Sequence, residues 1–322
     1  MEKIKVYLYS KSMEGHRKSY IDFIKSIIPA KKITLKESIF ANKPVLFLMI
    51  EESFLTYFII SILRAMLKRR TIGLLFRPQP LAEALTLRLK IKRTLLKTLK
   101  KINLTSTLSI VPSYLNESFE GLSDDWIYDF QLWDLNNEEL DDFRNYRNGI
   151  KPIEIIKPQE NKKPNLVAIG SQTKAKGFIK LIDFQSEAND YNIVIVGKIK
   201  DELIHYTEML KSNNGTINNR IVSDSEIIQA YAIADYIWTV YDENYDQASG
   251  IMGRAIQLGV IPVLRKGSLM QKFCETENIQ FLTIEDLRNA KVKRNFENLR
   301  NEEKIKDFRK HSIKVIKEHI LK

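Results

Sequence analysis

The chain has 322 residues, 44% of them hydrophobic and 28% charged, which is enough for one large or two medium cores and too apolar for a disordered polypeptide. A single cysteine, Cys274, excludes an internal disulfide framework and fits a reducing compartment. The net charge of +11 is concentrated: between Arg64 and Lys101 stand twelve Lys or Arg and one acid, Glu83, so the rest of the chain is neutral overall.

The opening residues, MEKIKVYLYS, lack the basic-then-apolar layout of a signal peptide. The most apolar stretch, Val45 to Leu63, is cut by Glu51 and Glu52, and neither half reaches the roughly 18–20 residues a spanning helix needs. No transmembrane segment and a cytoplasmic location are therefore expected.

Strand-like and helical patterns alternate along the first half. IKVYLYS (Ile4–Ser10) precedes an amphipathic HRKSYIDFIKSII, and PVLFLMI (Pro44–Ile50) precedes SFLTYFIISILRAML. TIGLLF (Thr71–Phe76) leads into one long helix from about Leu81 to Lys101, followed by strands Thr107–Ser113 and Trp126–Trp133. From 136 to 164 the pattern lapses into charged runs with Pro152, Pro158 and Pro164, a candidate linker. Alternation restarts with NLVAIG (Asn165–Gly170), YNIVIVG (Tyr191–Gly197), a weak TINNRIV, the helix SEIIQAYAIA, YIWTVY (Tyr236–Tyr241) and the strand VIPVL, and ends in a charged helix from about Arg294 to Lys322.

Strands alternating with helices predict parallel sheets covered on both faces. The fold class expected is α/β: two doubly wound Rossmann-like domains facing each other across a cleft. They are 1–135 and 165–322, joined by the linker 136–164, with the last helix crossing back to the first domain. In such sheets ligands bind beyond the carboxyl ends of the strands.

The series VAIGSQTKAKGFIKLI, YNIVIVGK, SEIIQAYAIADYIW and DQASGIMGRAIQLGVIPVL resembles the nucleotide-sugar half of a GT-B glycosyltransferase of the retaining branch. The resemblance covers about half the chain by motif and reaches the first half as an expectation of fold. It implies transfer of a sugar from a nucleoside diphosphate donor to a saccharide or lipid-linked acceptor in surface polysaccharide or glycan biosynthesis. No cofactor is implied, the nucleotide sugar being a substrate.

Negative charge grows on the departing diphosphate, and donors already aimed at it stabilise that charge. Ser249, Gly250 and Ile251 open a helix after YIWTVY, where free N–H groups favour a phosphate, and Gly250 leaves room for close approach. The bland reading is a capped helix with a tight turn. Gly170 and Gly197 end two strands and belong to the same donor side. Lys176 in TKAKG matches the resemblance's diphosphate lysine; the partner arginine falls at Ser171, leaving Lys174 to substitute. Both lysines are otherwise a solvated turn.

The paired glutamates of the resemblance map to Asp246 and Arg254. Asp246, with Glu243 as its alternative, would accept bonds from donor-sugar hydroxyls. Arg254 cannot accept a ribose hydroxyl. It offers a fork to a phosphate or a salt bridge to Asp246. Arg265, ending the next strand, either faces the phosphates or belongs to a solvated basic turn.

On the acceptor side, Gly15 fits a turn beside a ligand, His16 is a candidate proton carrier or a plain helix-start residue, and Arg77 ends another strand. No His/Cys/Asp spacing suggests a metal, and no Asp-x-Asp, GxGxxG or GxxxxGK[ST] occurs.

The window 64–101 runs into the stretch RLKIKRTLLKTLKKINL (Arg88–Leu104), which sets Leu89, Ile91, Leu95, Leu96 and Leu99 among lysines. This pattern predicts an amphipathic basic helix suited to an anionic membrane, and a peripheral place on the inner face of the plasma membrane. The alternative is leucines packed on the sheet under solvating lysines. Nucleic acid is not expected, because the window lacks aromatic stacking residues. Two other functions stay open: a glycosyltransferase-like scaffold without activity, and a basic nucleic-acid-binding protein.

Overall fold

The apolar runs pair in parallel to form two separate six-stranded sheets. The computed structural model describes residues 3–12, 16–155, 163–188, 190–212, 215–289 and 301–321. The chain divides into two units, Met1–Phe130 with Lys306–Lys322, and Gln131–Ile305.

The first unit runs β1 (Val6–Tyr9), α1 (His16–Ile27), β2 (Ala30–Lys32), α2 (Leu35–Phe40), β3 (Val45–Phe47), α3 (Phe54–Met66), β4 (Thr71–Leu75), α4 (Pro78–Glu83), α5 (Leu87–Leu99), β5 (Thr105–Ser109) and β6 (Asp125–Trp126). Its strand order is β2-β1-β3-β4-β5-β6. Right-handed crossovers therefore place α2, α3 and α5 on one face and α1 on the other.

Three expectations change here. The long helix 81–101 is broken: Ala84 takes a left-handed φ of 48°, and Thr86 caps a new helix through the Leu89 N–H. The strand Trp126–Trp133 stops at Trp126, because the Tyr128 N–H turns to Ser312 Oγ at 3.0 Å instead of to a neighbouring strand. Arg64 does not belong to the surface charge. It is fully buried and donates to Thr71 Oγ1 and to the carbonyls of Ser38, Ala41, Lys43 and Arg70. Desolvation lowers its pKa to about 10, and the bonds to four carbonyls keep the cation in place.

The second unit opens with α6 (Asn137–Arg147), within the segment expected as a linker. Asn136 and Glu139 form a capping box at its start, and Arg147 bonds the carbonyls of Ala232 and Ala234. Then follow β7 (Asn165–Ile169), α7 (Phe178–Glu187), β8 (Asn192–Val196), α8 (Thr207–Ser212), β9 (Thr216–Asn218), α9 (Asp224–Ile233), β10 (Tyr236–Trp238), α10 (Gly250–Leu258), β11 (Ile261–Leu264), α11 (Leu269–Thr276), β12 (Leu282–Thr283) and α12 (Ile284–Asn289). The last helix, α13 (Glu302–Leu321), belongs with the first unit from Lys306 onward.

The order β12-β11-β10-β7-β8-β9 reverses direction between β7 and β10. Alternate residues of β7 and β8 feed opposite cores. Leu166, Ala168, Ile193 and Ile195 pack toward α7, whereas Val167, Ile169, Val194 and Val196 pack toward α9 and α10. This two-sided burial fixes where β7 and β10 end, and the crevice at a reversal point is where doubly wound sheets bind ligands.

Candidate functional site

Beyond β7 the chain turns at Gly170, with φ of 82°, and beyond β8 at Gly197, with φ of 138°. A Cβ on Gly197 would stand 2.2 Å from the Gly170 carbonyl oxygen, so the two strand ends meet through backbone alone. Gln172 stiffens this floor. It is buried, its side chain donates to the Gly170 carbonyl at 2.8 Å, and its N–H donates to Lys198 O.

Thr173 caps the turn Lys174–Lys176 by accepting from the Lys176 N–H, and Gly177 ends it in a left-handed conformation. No side chain fits at Gly177, since its Cβ would lie 1.8 Å from Val240 O. The loop after β7 is thereby pressed against the end of β10, and Lys176 is aimed back at Gly170, its Nζ 3.8 Å from the point where a Gly170 Cβ would stand. Ile251 Cδ1, from the first turn of α10, lies 3.4 Å from the same point. The Lys176 ammonium, the Gly170 turn and the start of α10 therefore converge.

Burial lowers the Lys176 pKa, and no carboxylate offsets it. Among the described residues no acceptor bonds this ammonium. A desolvated, unpaired cation beside a helix N-terminus favours an anion. Lys174, on the same turn, is exposed.

Ser249 caps α10, accepting from the Met252 N–H at 3.2 Å, and its hydroxyl lies 2.9 Å from that of Tyr241. Burial pushes the Tyr241 phenol up to about 12, so it stays protonated.

Gly250 requires a correction. The space a Cβ would take there is filled by the Gln131 side chain, 1.7 Å from that point, and is not left open for a phosphate. Gly253 approaches the Gln131 backbone in the same way, with a Cβ-to-carbonyl distance of 3.0 Å. Arg254 forks onto Asp134, and the Gln257 side chain exchanges bonds with the Leu135 backbone at 3.4 Å. Residues 250, 253, 254 and 257 share one face of α10. That face receives the segment Gln131–Leu135.

Arg254 thus pairs with Asp134, 2.7 Å away, and not with Asp246. Burial works against its charge, but the Asp134 bond and charge outweigh this and the pKa is raised. Asp246 is paired elsewhere. It accepts from Arg265 Nη2 at 2.8 Å and from the Leu269 N–H that opens α11. Arg265 also donates to Tyr241 O and Lys266 O, so its guanidinium faces protein oxygens. Glu243 lies exposed on a short turn, Glu243–Tyr245.

In the first unit Gly15 lies outside the described residues, and His16 opens α1. Arg77 is exposed; its N–H donates to Glu51 Oε1, whose partner oxygen Oε2 is buried without a bond. Desolvation raises the Glu51 pKa. No group of three or more His, Cys, Asp or Glu among the described residues is arranged to hold a metal. No described helix is long and apolar enough to cross a membrane.

Sequence reasoning missed Gln131, Asp134 and Gln172. The spacing 250, 253, 254 and 257 was the available signal for the first two: two glycines and two side chains able to hydrogen bond on one helix face suit a polar partner.

No family model matches the chain, and no curated protein matches it by sequence. Solved structures do match. The Anabaena protein HepE in complex with UDP has a TM-score of 0.60 at 11% identity, covering 99% of this chain and 96% of that one. Its complex with UDP and glucose gives 0.58 at 12%, covering 98% and 95%. Sucrose-phosphate synthase from Thermosynechococcus elongatus gives 0.52 at 12% over 84% of this chain, which spans only 66% of that enzyme. At such identities the likeness is one of fold, and the fold is that of the GT-B glycosyltransferases.

Proposed function

We propose that this GT-B-fold chain is a nucleotide-sugar-dependent glycosyltransferase. It moves a hexose-type sugar from a nucleoside diphosphate to a saccharide or lipid-linked acceptor in surface polysaccharide or glycan assembly. The observation that carries the reading is Lys176: a desolvated, unpaired ammonium at the reversal point of the sheet, beside the first turn of α10. Such a position suits a diphosphate.

In the reaction the bond from the anomeric carbon to the diphosphate oxygen breaks, and the acceptor hydroxyl oxygen bonds that carbon. In the retaining course the acceptor proton passes to the leaving phosphate. Lys176 and the α10 N–H groups meet the charge that grows there. Because a protein cation supplies this neutralisation, we expect turnover to be metal-independent and to persist in EDTA. With a lipid-linked acceptor, the enzyme works peripherally on the inner face of the plasma membrane.

Titration calorimetry with UDP, GDP and ADP, followed by incubation with the matching hexose conjugates, tests the proposal. One nucleotide is expected to bind and its conjugate to be transferred or slowly hydrolysed. Folded protein that binds none of them overturns it. Binding without cleavage, with or without saccharide acceptors, identifies the inactive scaffold instead.

A further inference from the structure

Helix α3 has its polar and apolar faces reversed. Its one charged residue, Arg64, and Ser61 point inward with Phe54, Tyr57 and Ile60. Outward point Leu55, Ile59, Leu63 and Met66, which are 63%, 55%, 40% and 77% exposed. These positions follow i, i+4, i+8 and i+11 and form one stripe. Thr56 is the only polar residue left outside, so the outer face of a 13-residue helix carries no charge.

The stripe lies within a larger apolar surface. α3 packs against both α2 and α5 on the same side of the sheet. α2 ends in Phe40, and α5 begins with Leu87 and Ile91, all strongly exposed. Around them the charge is mostly positive, Glu37 on α2 being offset by its neighbour Lys36. From residue 53 to 116 the sole acid is Glu83, and Lys68, Arg88, Lys90 and Lys97 are exposed. The sequence assigned the membrane-facing apolar residues to α5, but Leu96 and Leu99 are buried in the core. α5 supplies cations to the surface, and α3 supplies most of the apolar face.

We infer that the α2–α3–α5 face is a docking surface for an anionic phospholipid bilayer. α3 lies in the interface plane with its outer stripe at the acyl boundary, and the α5 cations contact headgroups. Charge chooses between partners. A two-fold contact between copies of this face would bring the same cations against each other, whereas an anionic leaflet complements them. This inference rests on the peripheral placement proposed above and gives it a surface, but it uses no donor-site residue, so its failure leaves nucleotide-sugar transfer untouched.

Co-sedimentation of the full chain with vesicles tests it. Binding is expected to mixed phosphatidylcholine–phosphatidylglycerol vesicles, to weaken with salt, and to be slight on phosphatidylcholine alone. Ile59→Asp with Leu63→Asp should lower partitioning by about tenfold or more, and Arg88→Glu with Lys90→Glu should remove the preference for phosphatidylglycerol. Near-UV circular dichroism and nucleotide binding in solution check that both variants remain folded and keep a working donor site. Failure of the wild type to sediment with the anionic vesicles overturns the inference, as does unchanged sedimentation of the aspartate variant. A concentration-dependent dimer that the aspartates dissolve, without vesicle binding, assigns the face to a second copy instead.

Discussion

Arg254 grips Asp134, with Nε 3.0 Å and Nη2 2.7 Å from the same carboxylate oxygen. The arginine thereby serves to fasten a passing segment to α10. Its side chain keeps 20% of its surface and that of Asp134 only 4%. Arg254→Ala should cost about 2 kcal/mol, below the roughly 3–5 kcal/mol of breaking a fully buried pair. Arg254→Glu, which restores the residue type of the resemblance, should cost more, because it sets two carboxylates together. Denaturant unfolding of the single variants and of Arg254→Ala/Asp134→Ala measures the coupling.

Lys176→Met should separate binding from stability. Loss of a charge-assisted contact weakens nucleotide affinity by about 10–100-fold. Removing a desolvated ammonium leaves the unfolding midpoint unchanged or higher. Calorimetry and thermal unfolding on one preparation read both. A parallel fall in both quantities contradicts the assigned role.

The same lysine predicts a pH dependence. Its folded pKa lies below the ordinary lysine value. Between the two values the unfolded chain holds more protons, so its contribution to stability rises with pH through that window. The rise should be absent in Lys176→Met. Nucleotide affinity should move oppositely and fall as the ammonium deprotonates.

Glu51 gives the opposite sign. Its folded pKa is raised by burial, so the folded chain holds the extra proton and stability falls as pH climbs above the ordinary carboxylate value. Glu51→Gln can still accept from the Arg77 N–H. It should match the wild type at low pH and be the more stable at neutral pH. Unfolding curves across the range check this.

Gly250→Ala should cost about 1–3 kcal/mol through overpacking against Gln131. Gln131→Ala in the same chain should recover most of that loss. Recovery measured by chemical unfolding supports steric contact with Gln131 as the reason for the glycine. A phosphate-approach role instead predicts lost nucleotide binding in both variants.

The strand-helix rhythm was legible because apolar alternation and caps are local. Five strands of each sheet follow from it, including those that lead into Gly170 and Gly197, whereas the short edge strands β2 and β12 carry no such apolar run. The place of Lys176 was legible too, on a turn that ends in a glycine after a strand. The partners of Arg254, Asp246 and Arg265 were not. Each is fixed by where a remote segment passes, and Asp134 lies 120 residues from Arg254. Arg64 misled for the opposite reason. Counted by charge it belongs to the surface, yet five oxygens from α2, β4 and the loops beside them enclose it.

That enclosure of Arg64 has a consequence for α3. A guanidinium bonded to five fixed oxygens cannot follow a rotating helix, so α3 is locked in register on the sheet. Its oily side is constitutive. The fold has no local turn of α3 that hides Ile59 and Leu63 without stranding a cation in the core. Control over when this face is covered therefore rests with its surroundings, through ionic strength and the makeup of whatever surface the protein meets.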